Sequence, residues 1–273
     1  MDVLIVGAGS MGSWFASAVD ADVTFADVDP DAAAAAAEAV GGEVGDLEGD
    51  DRYDAVCVAV PMTHVGDAVA SHAGRADRAI VDVSGVMGEP LEAMKAHATG
   101  LERVSLHPLF APERAPGSIA VARDRSGPVT DRLLADLDSR GNDLVETTAS
   151  EHDEAMETVQ AATHAAVLSF ALVAESVPQG FETPIYEQLR TLAEQLTEGT
   201  PRVYADIQGT FDGADAVARA ATEVAAADSD ELEELYRRAA KRWQSEPIGA
   251  DRQGGLDGTD AANDSDADAG ERR

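Results

Sequence analysis

Val3-Leu-Ile-Val-Gly7-Ala-Gly9-Ser10-Met11-Gly12 sets three glycines in a GxGxxG spacing directly behind a β-branched run. Four apolar residues in a row read as a strand buried on both faces, and Ser13–Val19 behind them carries helical spacing. Strand, glycine turn and helix in this order make a phosphate cradle. Gly7 permits the tight turn, Gly9 lets a pyrophosphate approach the backbone, and Gly12 allows helix and strand to pack closely. The N–H groups of Ser10, Met11 and Gly12, at the head of the helix, then face the phosphates. A second strand ends at Asp27, 20 residues after Gly7. A carboxylate there accepts hydrogen bonds from the adenine ribose hydroxyls. Val28-Asp29-Pro30 offers no arginine for a 2′-phosphate, so the motif favours NAD over NADP. Val58-Ala-Val60-Pro61 ends another strand in a proline turn, which places Val60 and Pro61 to line the other half of the cofactor.

Outward from the motif, short apolar runs alternate with helical segments as far as Thr147. Val3–Val6, Val23–Ala26, Ala55–Val60, Ala79–Val83 and Val104–Leu106 read as strands. Ser13–Val19, Asp31–Val40, Thr63–Ser71 and Pro90–His97 read as the helices between them. Ile119–Ala122 and Leu144–Thr147, around a helix near Val129–Asp138, finish the sheet. The pattern predicts an α/β fold over residues 1–148: a Rossmann-type, doubly wound, mostly parallel sheet. Beyond Thr147 no strand pattern appears. Ser150-Glu-His-Asp153 predicts a helix start with Ser150 as N-cap. Met156, Val159, Thr163, Ala166, Val167, Phe170 and Val173 follow at helical spacing, up to Pro178 and Gly180. With Ile185–Thr197, Arg202–Gly209, Ala214–Ala227 and Asp230–Trp243, they predict an all-helical second domain over residues 149–245. Residues 246–273 hold eight acids, three bases and only Ile248 and Leu256 as large apolar residues, which predicts a disordered acidic tail.

Across the 273 residues, 52 Asp and Glu face 20 Lys and Arg, a formal net charge of −32. Such a surface repels phosphate backbones and anionic lipid, which excludes nucleic acid and membrane surfaces as partners. An anionic substrate then needs cations focused in a pocket. No apolar run reaches the ~18 residues of a membrane span, and no basic segment precedes an apolar one at the N-terminus, so a cytoplasmic protein is expected. Cys57 lies in an apolar run and reads as a small buried hydrophobe. Lys95 and Lys241 are the only two lysines. Abundant acid with so little lysine resembles proteins of extreme halophiles, whose molar salt shortens the Debye length to about 3 Å and screens the self-repulsion.

The strand Val104-Ser-Leu106 delivers His107-Pro108-Leu109-Phe110-Ala111-Pro112-Glu113 at its C-terminal end, the edge where ligands gather in open α/β sheets. A histidine there, with an ordinary pKa of about 6.5, suits a general base that takes a hydroxyl proton during hydride transfer. His64, His72, His97 and His152 scatter over turns and helices without metal-ligand spacing, so no metal site is expected.

Taken together, the dinucleotide motif, the His107–Glu113 segment, and Glu151-His-Asp153 followed by Val159-Gln160 and His164 resemble the prephenate dehydrogenase family. Order and spacing match through about Ile207, roughly three-quarters of the chain. The resemblance implies an oxidative decarboxylation belonging to tyrosine biosynthesis. Hydride passes from the hydroxyl-bearing ring carbon of prephenate to NAD, the hydroxyl proton goes to a histidine, and carbon dioxide leaves as the ring becomes aromatic. The products are 4-hydroxyphenylpyruvate, carbon dioxide and NADH. Matched residue by residue, His107 falls on the family's catalytic histidine and Glu113 on an acidic residue at the site mouth. His164 falls on a substrate-proximal histidine, and Arg190 on the carboxylate-binding arginine, whose planar fork suits that ligand. Pro201-Arg-Val-Tyr204-Ala-Asp206-Ile207 resembles the family's proline–aromatic–aspartate stretch.

One stretch departs from the family. Its Asp-x-x-Ser-x-Lys reads here Asp82-Val-Ser84-Gly85-Val86-Met87, so Gly85 and Met87 stand at the serine and lysine positions. Ser84, one residue early, becomes the candidate catalytic hydroxyl. The resemblance leaves arogenate open as the substrate. A β-hydroxyacid dehydrogenase would carry a catalytic lysine on a second-domain helix, and no lysine lies between Lys95 and Lys241. An NAD-binding regulator without turnover would leave the convergence of His107, His164 and Arg190 unexplained. The apolar helices of the second half exceed the needs of one small bundle, which predicts a homodimer through them.

Overall fold

Runs of valine, isoleucine and alanine that bury both faces build the centre of the molecule. A computed structural model describes residues 1–178 and 180–245. Its single sheet comprises β1 (Asp2–Val6), β2 (Asp22–Ala26), β3 (Glu43–Val44), β4 (Tyr53–Val58), β5 (Ala76–Asp82), β6 (Glu102–Pro108), β7 (Ser118–Arg125) and β8 (Asp143–Glu146). The spatial order is β3-β2-β1-β4-β5-β6-β7-β8, parallel throughout except where β7 runs antiparallel to β6. Order reverses at the β1/β4 pair, the switch point at which doubly wound sheets bind their ligands. Each strand expected from the sequence is present. The two-residue β3 is added, too short to leave a periodic signal.

Helices α1 (Ser10–Ala18), α2 (Pro30–Val40), α3 (Val65–His72), α4 (Gly88–His97) and α5 (Pro128–Ser139) link the strands. Alternate residues of the central strands feed two cores. Val3, Ile5 and Val81 pack with Phe15 of α1 and Leu133 of α5, whereas Leu4, Val56 and Ile80 pack with Val69 of α3 and Met94 of α4. Cys57 is fully buried in the first of these, as expected.

Beyond β8 come α6 (Ala149–Met156), a π-helical turn (Glu157–Ala162), α7 (Thr163–Val173), α8 (Pro184–Glu198), α9 (Pro201–Thr210), α10 (Gly213–Ala226) and α11 (Ser229–Ser245). Met156, Ala161, Ile207 and Phe211 join the second core, so α6, the π turn and α9 cover the same sheet face as α3 and α4. The expected N-cap is corrected. Ser150 lies inside α6, and Thr148 caps it: Thr148 Oγ1 accepts the Glu151 N–H at 3.2 Å while the Glu151 carboxylate accepts the Thr148 N–H at 3.1 Å. Glutamate is long enough to reach back in this way, and Asp153 is engaged elsewhere. The helical spacing expected from Met156 onward also breaks, because the π turn inserts an extra residue and leaves Val159 exposed. Gly213 seats that turn: a Cβ there would stand 2.1 Å from Glu157 O.

By contacts the chain divides into Met1–Arg219 and a unit beginning at Ala220. Within the latter, Arg238 Nη2 donates to Glu223 at 2.7 Å. The acidic tail expected over residues 246–273 lies outside the described residues. Among those described, no helix is long and apolar enough to cross a membrane.

Candidate active site

The cradle predicted from the glycines forms at the C-terminal ends of β1, β2 and β4. Gly7 adopts φ +105°, and a Cβ on it would stand 2.4 Å from Ala59 O. Gly12 is buried against Gly7 O and the side chains of Ile5 and Ala59, while the space beside Gly9 is open. Gly9 caps α1 without a side-chain hydrogen bond, so among the described residues no side chain caps the N–H groups of Ser10 and Met11. An uncapped, open helix N-terminus attracts a phosphate. Asp27 projects from the end of β2, where its Oδ2 accepts the Ala8 N–H at 2.6 Å and its Oδ1 the Asp29 N–H at 2.9 Å. A half-buried Val60 and an exposed Pro61 follow β4 into the 3-10 turn Met62–His64. Open backbone, free amides and a carboxylate together suit a dinucleotide.

Beside this cradle β6 delivers His107, almost fully buried. Its Nδ1 lies 2.8 Å from His152 Nε2, and His152 Nδ1 lies 2.8 Å from Asp153 Oδ1. Asp153 also accepts the Met87 N–H at 3.0 Å and the Gly88 N–H at 2.9 Å, at the head of α4. Burial alone would raise this carboxyl, but the bonds from His152 and the two amides outweigh it and hold it below the usual carboxylate range. It is therefore an anion that only accepts, and the protons along the chain are fixed in turn. His152 carries hydrogen on Nδ1, its Nε2 accepts from His107 Nδ1–H, and His107 Nε2 is left with a bare lone pair. Burial, reinforced by His152 and opposed by Asp153, pushes the His107 imidazole down to about 3, so it is neutral at pH 7. An imidazole held in this way can accept one proton, at Nε2.

The residues facing that lone pair follow from close packing. Gln160 Nε2, on the π turn, lies 3.3 Å from His107 Nε2. A Cβ added to Gly85 would sit 3.6 Å from the same nitrogen and 2.8 Å from Met62 Sδ. Ser84, the expected catalytic hydroxyl, is turned away. It is buried, with Oγ 2.6 Å from Asp82 Oδ2 and 2.7 Å from Val86 O. Its hydroxyl hydrogen is shared between Asp82 Oδ2 and the Val86 carbonyl, and the Ser84 N–H also donates to Asp82 Oδ2 at 3.0 Å. Burial pushes Asp82 up to about 7, against the bonds donated by Ser84 and Ser105. Ser84 thus shapes the 83–87 loop rather than reaching a ligand.

Asp82 also makes stability depend on pH. Folded Asp82 keeps its proton to about pH 7, whereas an unfolded aspartate releases it near ~3.9, so the stabilisation is whole below about pH 4 and lost as pH rises through 7. Asp82→Asn is expected to flatten this loss. The fall in Tm between pH 5.5 and 8.5 should be smaller in the variant, and equal falls would contradict a protonated Asp82.

His164, on α7, is half-buried, its ring edge-on to Tyr204 of α9 at 4.9 Å; burial lowers its pKa, and its Nδ1 has no hydrogen-bond partner among the described residues. On α9, Gln208 Nε2 donates to Ala161 O at 3.0 Å, and Arg202 bridges Asp206 Oδ1 (2.8 Å) and Thr63 Oγ1 (3.5 Å). These contacts hold α9 over the π turn and the Met62–His64 turn. Two expected residues are not drawn into this group. Arg190 is exposed on α8, with Nη1 donating to Glu194 at 2.8 Å and Glu182 3.8 Å from its Nε. Glu113 is exposed on the 3-10 turn Pro112–Arg114, and among the described residues its side chain makes no hydrogen bond or ion pair.

His152 corrects the sequence reading, which gave it no role: it is the middle of the relay. Asp153 and Gln160 were visible only as letters of a motif. The two-residue unit His152-Asp153 at a helix start, with Gln160 seven residues on, was the available signal. Among the described residues no group of three or more His, Cys, Asp or Glu side chains is placed to hold a metal ion.

Comparison with known proteins points the same way. The family model described as prephenate dehydrogenase, nucleotide-binding domain, matches residues 16–126. A 4-amino-4-deoxyprephenate dehydrogenase of Streptomyces pristinaespiralis is 32% identical over 241 residues, covering 80% of this chain and 80% of that relative. A probable arogenate/prephenate dehydrogenase of Methanocaldococcus jannaschii is 24% identical over 226 residues, covering 75% of this chain and 50% of its own length. Among solved structures the fold is similar to a prephenate dehydrogenase from A. aeolicus in complex with hydroxyphenyl propionate and NAD+, at a TM-score of 0.64 and 17% identity, covering 90% of this chain and 98% of that one.

Proposed function

The chain belongs to the prephenate dehydrogenase family, and from that premise we propose that it oxidises and decarboxylates prephenate, with NAD, to 4-hydroxyphenylpyruvate. The observation that carries this reading is the bare lone pair on His107 Nε2, set by the Asp153–His152–His107 relay. NAD, held by Gly7, Gly9, Ser10, Met11, Gly12, Asp27, Val60 and Pro61, supplies the hydride acceptor when bound. As the C–H electron pair leaves the ring carbon, His107 Nε2 takes the hydroxyl proton. The bond to the ring carboxylate breaks, carbon dioxide departs, and its electron pair completes the aromatic ring. His107 then returns the proton to the phenolate oxygen, so no net proton is released. Positioning does most of the work, because aromatisation supplies the driving force.

Prephenate is a dianion approaching a chain of charge −32. Arg190 is our candidate for its carboxylate, with His164 lining the ring and Glu113 at the mouth. Arg190→Ala is expected to raise the prephenate KM about 10- to 100-fold with kcat nearly unchanged, the loss of one charged hydrogen bond of about 1.5–3 kcal/mol. An unchanged KM would remove Arg190 from the site.

The helices of residues 149–245 serve as the substrate and dimerisation domain in this reading. Leu168, Leu172, Val173, Phe181 and Ile185 are exposed, and a second copy of the chain would cover them. The enzyme is assigned to the cytoplasm.

A second reading rests on the relative from S. pristinaespiralis, whose name gives an amine at the ring position where prephenate has a hydroxyl. The deciding assay follows NADH formation in molar potassium chloride with prephenate, arogenate and 4-amino-4-deoxyprephenate side by side. Turnover highest on prephenate supports the proposal; turnover of none of the three rejects it.

A further inference from the structure

Gln160 is almost alone in its surroundings. Among the described residues its one side-chain hydrogen bond runs to His107 Nε2 at 3.3 Å, and its Oε1 is buried without a partner. A buried, unpaired carbonyl costs about 1–3 kcal/mol, so a side chain held this way calls for a reason beyond packing. The backbone beneath it is costly too. Six residues, Glu157–Ala162, leave α-helical geometry to form the π turn, and Gly213 clears the room for it. Across the lone pair, Gly85 contributes no side chain at all.

We propose that Gln160 donates a hydrogen bond to the oxygen of the substrate's ring hydroxyl while His107 accepts that hydroxyl's proton. Resting on the prephenate reading above, this adds a specificity role that the relay alone lacks. His107 Nε2 is an acceptor, so the amide turns its NH2 toward it. A hydroxyl that opens this 3.3 Å contact satisfies both nitrogens, donating to His107 and accepting from Gln160. As hydride leaves and the proton moves to His107, negative charge builds on the oxygen, where the amide N–H is already aimed. A ring amine meets the same pair differently. An alkylamine is an ammonium at neutral pH, with no lone pair to accept from Gln160, and its charge faces the amide's positive end. Gln160 therefore selects the ring alcohol over the ring ammonium.

The test compares wild type, Gln160→Ala, Gln160→Glu and Gln160→Ala with Gly85→Ser, using prephenate and 4-amino-4-deoxyprephenate. Gln160→Ala is expected to cut kcat on prephenate about 100-fold, the loss of one donor on a developing oxyanion. Gln160→Glu, nearly isosteric and acceptor-only, should raise the ratio of kcat/KM for the amine over the alcohol at least tenfold. Gly85→Ser sets a hydroxyl beside His107, since the Met62 thioether can move aside, and should return about tenfold of the lost kcat. Tm and NAD affinity report whether each variant folds; should Gln160→Ala melt early, Gln160→Glu decides. A Gln160→Ala kcat within threefold of wild type, or an unchanged substrate ratio in Gln160→Glu, overturns the proposal while prephenate turnover stands. Failure of the wild type to oxidise prephenate overturns both.

Discussion

Asp153→Asn is expected to lower kcat on prephenate by on the order of 10³-fold, although the residue never meets the substrate. The magnitude follows from what fixing a histidine tautomer is worth when a carboxylate orients the catalytic base. In the native site Asp153 accepts three hydrogen bonds, from the Met87 and Gly88 amides and from His152 Nδ1. An asparagine has one acceptor oxygen, and either orientation of its amide turns an N–H against a backbone N–H. If the NH2 faces His152, that ring must accept on Nδ1 and donate from Nε2, which puts the His107 proton on Nε2 and blocks the base. If it faces the other way, the anion that balances the proton held by the histidine pair is still gone. Steady-state kinetics on a folded variant decides it. NAD affinity should be unchanged, and a kcat within tenfold of wild type would mean that the relay does not set the tautomer.

His107→Asn should be the more severe loss, about 10³- to 10⁴-fold in kcat with NAD binding retained, because general-base catalysis itself disappears. Full activity in this variant would sink the base assignment. The buried imidazole also shapes the pH profile. With its pKa pushed down to about 3, His107 stays unprotonated throughout the range in which an ordinary histidine, near ~6.5, gains its charge. The acid limb of kcat/KM in the wild type is therefore expected well below pH 6. A limb at 6.5 would place the titrating base in a wetter setting than the one described.

Fold and site were legible to different depths. Long apolar runs separated by amphipathic helices carry their period in the sequence, so the sheet emerged strand by strand from Val3–Val6 to Leu144–Thr147. The glycine spacing placed the cradle because Gly7 and Gly12 answer to local geometry, one turn and one helix crossing. His107 was legible for a related reason: the end of a buried strand is an address that sequence can specify. His152, Asp153 and Gln160 were not, since their roles depend on contacts 45, 65 and 53 residues apart in sequence. No periodicity reports such a meeting. Ser84 shows the opposite failure. A serine one position from the expected one looked serviceable, and only its acceptors, Asp82 Oδ2 and Val86 O, reveal that its hydroxyl is already committed. The π turn defeated a helical reading for a simple reason, because one inserted residue shifts every later side chain around the axis by more than a quarter of a turn.

The grip on Asp153 has an evolutionary consequence. It is held by the peptide N–H groups of Met87 and Gly88, and every residue except proline offers that donor. Mutation can rewrite the side chains of this loop without loosening the grip. A lineage is then free to exchange the polar groups around the base, as long as the turn keeps its path. Catalytic ancestry can persist here while the letters that would announce it drift away.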